Sequence, residues 1–214
     1  MAVTIARRGA RSTYRHGDLH RALLDAGIAL ARDGGPDAVV LREATRRAGV
    51  VPNAAYRHFA SRDELLQAVR SAALAKLAAA MVEELRRLPP FADTAAFARA
   101  NLRAIGAAYI AFAQREPGLF RTAFAGGAAA VTKPGGAAHA NAAAGPFELL
   151  GAALDLNVRA GTLHPERRPG AEYLAWSAVH GLSMLLIDGP LRRMTRSERA
   201  AVAAALLDMV QKGL

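Results

Sequence analysis

Asn53, Tyr56, Arg57 and His58 fall within six residues, directly after the segment Gly49-Val50-Val51-Pro52. These are the side chains that read and grip a polyanion. An Asn carboxamide offers one donor and one acceptor, the pair that matches the exposed edge of adenine. A Tyr hydroxyl and a His imidazole reach phosphate oxygens and orient a helix without reading bases. Arg57 would flank the groove. Ala54 is small enough to touch a thymine methyl or to allow close approach. Arg62, at the start of the next helix, can pair with a phosphate, helped by the positive end of that helix. Arg42, upstream, is a second phosphate or base candidate. Each residue also has a plainer reading: Tyr56 in the core, His58 as a structural imidazole, Arg57 solvated and Asn53 in a turn.

Other residues raise different chemistry. His16 and His20 stand four apart, a spacing that can hold a metal on one helix face, but no third ligand of suitable type is near and Arg15 and Arg21 flank them. No metal and no cofactor are expected. Trp176 and His180 are also four apart, so they share a face that would line a ligand pocket or an interface. Tyr109, Phe112, Phe120 and Phe124 are candidates for the walls of a mainly apolar pocket, which would suit a lipophilic small molecule. There is no Ser/His/Asp or Cys/His set, no phosphate loop and no paired carboxylates in a pocket context, so there are no candidate catalytic residues and no enzyme is expected.

The elements that must position these groups are all helical. Apolar residues make up 52% of the 214, much of it alanine, and no stretch alternates as a half-buried strand does. A first helix is expected from Asp18, as N-cap, to the breaker Asp33-Gly34-Gly35-Pro36. A second runs from about Val39 to Ala48 with Asp37 as a possible cap, and a third covers about Pro52 to Phe59. Ser61 followed by Glu64 has the capping-box pattern and opens a long fourth helix reaching about Leu88. The fifth spans about Thr94 to Arg115 and a short sixth ends at Phe124. Residues 126–145, fourteen of the twenty Gly or Ala, read as a loop or a frayed helix entry. A seventh helix follows from Pro146 to Gly161, an eighth from Ala171 to Ile187, and a ninth is capped by Ser197 with Glu198. This divides the chain into a basic arm (1–17), a head (18–64) and a helical body (65–214).

Charge agrees with the motif. The formal net charge is +10, and residues 1–70 hold twelve arginines against seven acidic residues, which is half of that excess. DNA is the natural partner. The basic tail Arg7 to Arg15 would enter a minor groove or follow phosphates. The absence of cysteine fits a reducing cytoplasm, and no secretory signal or membrane span is expected; the apolar run 171–187 is interrupted by Glu172, Ser177, His180 and Ser183.

The stretch Gly49-Val50 to Leu65-Leu66, with Pro52, Ala54, Tyr56-Arg57-His58-Phe59, Ser61-Arg62 and Glu64, resembles the DNA-binding head of the TetR family of transcriptional regulators. So do His16 to Ala26 and Asp33 to Asp37, and Trp176-Ser177-Ala178-Val179-His180-Gly181 is similar to the Trp-x-x-x-His-Gly signature of one branch of it. The resemblance implies a homodimer joined through the last two helices, with Leu182, Leu185, Leu186, Leu206, Leu207 and Val210 at the contact. It also implies a third helix in the major groove of each half of a palindromic duplex operator, and a small-molecule effector that releases the DNA. The sequence departs from the family where Val40, Leu41 and Val51 replace the usual Ser or Thr caps. A TetR-type activator, or a basic helical protein that binds DNA without sequence choice, is the alternative reading.

Overall fold

The computed structural model describes residues 16–126 and 144–214, without the side chains of 16–18 and 52. The basic arm 1–15 and most of the Gly/Ala-rich segment, 127–143, lie outside the described residues. Nine α-helices and short 3-10 turns make up the described part, and it contains no strand: the protein is all-α.

Helix α1 is His16–Gly34. It starts two residues earlier than expected, so Asp18 lies inside the first turn and is not its N-cap. Gly35 ends it at φ +74°, and Pro36–Ala38 forms a 3-10 turn. Asp37 belongs to that turn and does not cap α2 (Leu41–Ala48), whose N-cap Val40 supplies no side-chain hydrogen bond. The missing cap costs about 1 kcal/mol relative to Ser or Thr. Gly49 closes α2 in the left-handed region at φ +67°, where its lack of a Cβ matters. Helix α3 is Pro52–Ala55, shorter than expected; residues 56–58 continue it as a turn, with the His58 and Phe59 amides donating to the Ala55 carbonyl at 2.9 Å.

Helix α4 (Arg62–Arg86) opens on the expected cap: the Glu64 amide donates to Ser61 Oγ at 3.1 Å, while the Glu64 carboxylate reaches one residue further back, accepting from the Ala60 amide at 2.6 Å. By length and hydropathy α4, and not 171–187, is the one helix among the described residues able to cross a membrane. Its buried residues Leu65, Val69, Ala73, Leu77 and Met81 instead form part of the core. Helix α5 (Thr94–Arg115) is capped by Asp93 and packs against α4, α6, α7, α8 and α9, so it is the body's central helix. Helices α6 (Pro117–Phe124), α7 (Pro146–Arg159), α8 (Ala171–Ile187) and α9 (Arg196–Gly213) complete the body. The cap of α9 is Thr195, not Ser197: Thr195 and Glu198 form a reciprocal capping box. Asn157, fully within α7, ties it to α5 by donating from Nδ2 to the Ala98 carbonyl at 2.9 Å.

One hydrophobic core runs from Leu23 and Phe59 in the head to Leu207 in α9. Head and body therefore share packing and are not beads on a linker.

Candidate nucleic-acid interface and effector cavity

In the head, Asn53 and Arg57 are exposed and Tyr56 is 58% exposed, so none of the three is a core residue. Ala54 and His58 are half-buried. Beneath them Phe59 is buried and stacks on His20, ring centroids 4.7 Å apart, and the His20 and His58 rings meet edge-on at 6.3 Å. This apolar underside turns the polar residues of 53–57 outward. The imidazole of His20 is thus engaged with Phe59.

The surrounding arginines divide by partner. Arg46 is held by Glu43 at 2.6 and 3.0 Å, which lowers the Glu43 carboxyl below its ordinary value, and Arg47 by Asp33 at 2.8 Å. Arg42 is exposed beside a shallow hollow formed with Val40, Thr45 and Val50. Neither Arg42 nor Arg57 makes an ion pair among the described residues. Arg62 is different. Its Nε donates to the Val39 carbonyl and its Nη2 to the Pro36 carbonyl, both at 2.9 Å. It braces the turn between α1 and α2 against the start of α4, and its Nη2 and Nη1 also lie 4.0 Å from Asp37 and 3.9 Å from Asp63. These tertiary partners lie more than twenty residues away, beyond the reach of local pattern.

In the body, a cavity of about 350 Å³ opens among α4, α5, α7, α8 and α9. Leu74 and Met81 of α4, Leu102 and Ile105 of α5, Leu150 of α7 and Leu207 of α9 supply aliphatic wall. Tyr109, Phe124, Phe147 and Trp176 supply aromatic wall, and Arg103, Glu148 and Gln211 the polar edge. The size and apolar lining suit a small ligand. Of the six residues expected there, Tyr109, Phe124 and Trp176 line it. Phe112 and Phe120 do not: both belong to the buried core, and Phe120 packs behind the wall on Tyr109, Phe124 and His180. His180 does not line it either, but it packs against Phe124 at 4.8 Å and Phe120 at 5.5 Å and holds Tyr109. Phe147 was missed by the sequence reading; its only local sign is its place just inside Pro146, at a helix start.

A polar chain backs the aromatic wall. Trp176 Nε1 donates to the Tyr109 hydroxyl at 3.0 Å, and that oxygen is 2.8 Å from His180 Nδ1. The indole can only donate, so the Tyr109 oxygen accepts from it. In the tautomer with the imidazole proton on Nε2, the Tyr109 hydroxyl donates to His180 Nδ1 and every proton of the chain has an acceptor. Burial works in the same sense: it lowers the His180 pKa, favouring the neutral ring, and pushes the Tyr109 phenol up, so no phenolate forms near neutral pH.

The leucines expected at a subunit contact separate as well. Leu182, Leu186 and Leu207 are buried in the chain's own core. Leu185 is exposed, as are Tyr173 and Leu174 of α8 and Met209 of α9.

Two family models match the chain. One, described as Tetracyclin repressor-like, C-terminal domain, covers residues 102–210. The other, Bacterial regulatory proteins, tetR family, covers residues 23–69. Among solved structures, the chain is similar to a protein of unknown function from Rhodococcus sp. RHA1, with 26% identity and a TM-score of 0.66 over 95% of this chain and 99% of that one. A TetR-family regulator from Streptomyces coelicolor A3 is 18% identical with a TM-score of 0.46, over 95% of this chain and 98% of that one. No curated protein matches it.

Proposed function

Because the chain belongs to the TetR family of bacterial transcriptional regulators, whose members are DNA-binding proteins, we propose that it is a homodimeric repressor released from a palindromic operator by a small, mainly apolar effector. The observation that carries the DNA half is the outward display of Asn53, Tyr56 and Arg57 above the buried Phe59. Asn53 reads a base edge, with Ala54 permitting close approach. Tyr56, Arg57, His58 and Arg42 grip phosphates. Arg62 holds the α1–α2 turn and, with part of its guanidinium still uncommitted to hydrogen bonds, pairs with a phosphate of the duplex. The exposed apolar residues Tyr173, Leu174, Leu185 and Met209 supply the subunit contact through α8 and α9.

Helix α6 links cavity to head. Phe124 is in the cavity wall, and Phe120 and Phe124 pack on Tyr109 and His180. At its other end the Glu116 carboxylate accepts from Arg32 of α1 at 2.7 and 3.1 Å. An effector that shifts Phe124 therefore pushes on α1. Coupling of about 1–3 kcal/mol, or roughly 5–150-fold in operator affinity, is enough for a switch.

The test is operator selection from genomic fragments, followed by binding of the selected palindrome and of random duplex at one salt concentration. Tight, selective binding that a cavity ligand weakens supports the proposal. Equal affinity for both duplexes makes the protein a non-specific binder. Selective binding that a ligand strengthens points to an activator.

A further inference from the structure

Two charged residues, Arg103 and Glu148, stand among those that line the cavity of the body, and they are not equivalent. Arg103 of α5 is paired with Asp208 of α9, so its charge is already met. Glu148 makes no hydrogen bond and no ion pair among the described residues. It is exposed, in the first turn of α7. Its Oε2 lies 2.6 Å from where a Cβ on Gly145 would stand, and Gly145 is itself a lining residue. The carboxylate therefore borders the mouth of the cavity.

The other polar groups of the wall lean the same way. Gln211 gives its Nε2 to the Arg99 carbonyl at 2.6 Å, which leaves its Oε1, an acceptor. Trp176 spends its one N–H on the Tyr109 oxygen at 3.0 Å. What the wall still offers is a negative charge, an acceptor oxygen and aromatic faces. Phe147, next to Glu148 in the chain, meets Trp176 edge to face, with ring centroids 6.0 Å apart, and Phe124 lies 6.1 Å from Trp176. The face of an aromatic ring is electron-rich and attracts a cation. An anionic head at this mouth would instead meet the like charge of Glu148.

We propose that the cavity selects an amphipathic cation. Its ammonium head sits at Glu148 beside Phe147 and Trp176, and its apolar body lies against Leu102, Ile105 and Leu150. At about 30 Å³ per non-hydrogen group, the share of a water molecule in its liquid, the cavity holds on the order of a dozen such groups. This proposal rests on the reading of the cavity as the effector site.

Trp176 is the chain's only tryptophan and lines the cavity, so its fluorescence reports occupancy. The full chain is titrated at neutral pH with octyltrimethylammonium, with 1-decanol and with decanoate. The cation is expected to bind at least about five-fold more tightly than the alcohol, the scale of a part-exposed ion pair and a cation–π contact together. Decanoate is expected to bind more weakly than the alcohol. Glu148→Gln removes most of the preference for the cation and leaves decanol affinity within about two-fold, whereas Glu148→Asp keeps part of it. Added salt shrinks the preference of the wild type, because Glu148 is exposed. Equal binding of the three probes, tighter binding of decanoate, or a preference that survives Glu148→Gln overturns the proposal and leaves the cavity reading intact. A lower Tm in Glu148→Gln with the preference retained makes Glu148 a helix-start residue only, and overturns it too. Binding of no probe overturns the cavity reading and this proposal with it. If Glu148→Gln does not fold, the ranking of the three probes by the wild type and its response to salt decide.

Discussion

Gly118 of α6 lies so close to Ala31 of α1 that a Cβ built on it would stand 2.2 Å from the Ala31 carbonyl oxygen. The Arg32 carbonyl oxygen would be 2.4 Å away. Two backbones are in contact there, with no flexible side chain to give way. Just before Gly118, Glu116 takes both ends of the Arg32 guanidinium. This joint is where the body touches the C-terminal end of the head's first helix.

Gly118→Ala should therefore push α6 off α1. Overpacking of this kind costs about 1–3 kcal/mol, or more where only backbone can move. Thermal unfolding should show a lowered Tm. Operator binding in the presence and absence of a cavity ligand should show a smaller difference than in the wild type. An unchanged Tm would mean that the two helices slide apart freely.

Asn53→Ala should alter the ranking of operator variants, with a loss of about 1–3 kcal/mol at the position read and little change elsewhere. Arg42→Ala should weaken all duplexes alike and reduce the salt slope by about 0.9 for each phosphate that the guanidinium neutralises. Competition assays over a panel of operator variants at several salt concentrations separate the two effects. If both substitutions leave binding untouched, the reading surface lies elsewhere.

Arg62→Ala combines two losses. The Val39 carbonyl loses its donor and the Pro36 carbonyl one of its two, so the head should be less stable as well as weaker on every duplex. Circular dichroism melts, set beside binding data, should show Tm and affinity falling together. A loss of affinity at constant Tm would put Arg62 on phosphate alone.

Tyr109→Phe removes the oxygen that links Trp176 to His180. Both groups then lose their partner, at a cost of about 1–3 kcal/mol for a buried polar group left unpaired. The Tm should fall and the Trp176 emission should shift. Trp176→Phe in the same background should add less than it does alone, because the two substitutions break the same bond.

Protonation of His180 disrupts the same chain of bonds. Its folded-state pKa lies below the ordinary value of 6.5, owing to burial. The unfolded chain therefore binds the proton first as pH falls. The stabilisation is complete above pH 6.5 and is lost as the pH drops through 6.5 towards the lower folded value. Tm measured at pH 7.5 and 5.5 should fall for the wild type. The fall should be smaller in His180→Gln, and an equal fall would place the acid sensitivity on other groups.

Much of this molecule is legible one turn at a time. The start of α4 at Ser61-Glu64, the span of α5 and the bounds of α8 follow from caps, breakers and periodicity, whose physics acts over three or four residues. So does a short helix after Gly49 that carries Asn53, although it ends at Ala55 and leaves Tyr56 and Arg57 in the turn that follows. Where local signals compete, the nearest fit was wrong: Asp37 is drawn into a 3-10 turn by Pro36, and Thr195 outranks Ser197 because only its spacing to Glu198 closes the capping box.

What only the tertiary structure decided is which faces meet. Phe112 and Phe124 are equally aromatic, yet one is buried in the core and the other walls a cavity. Tyr109 finds Trp176 and His180 across 67 and 71 residues, and Arg62 finds Val39 across 23. Arg70 carries no local sign of burial, yet it is a buried cation where α6 ends against α4. Helix formation depends on neighbours along the chain, whereas the desolvation and pairing of a side chain depend on what other helices bring to it.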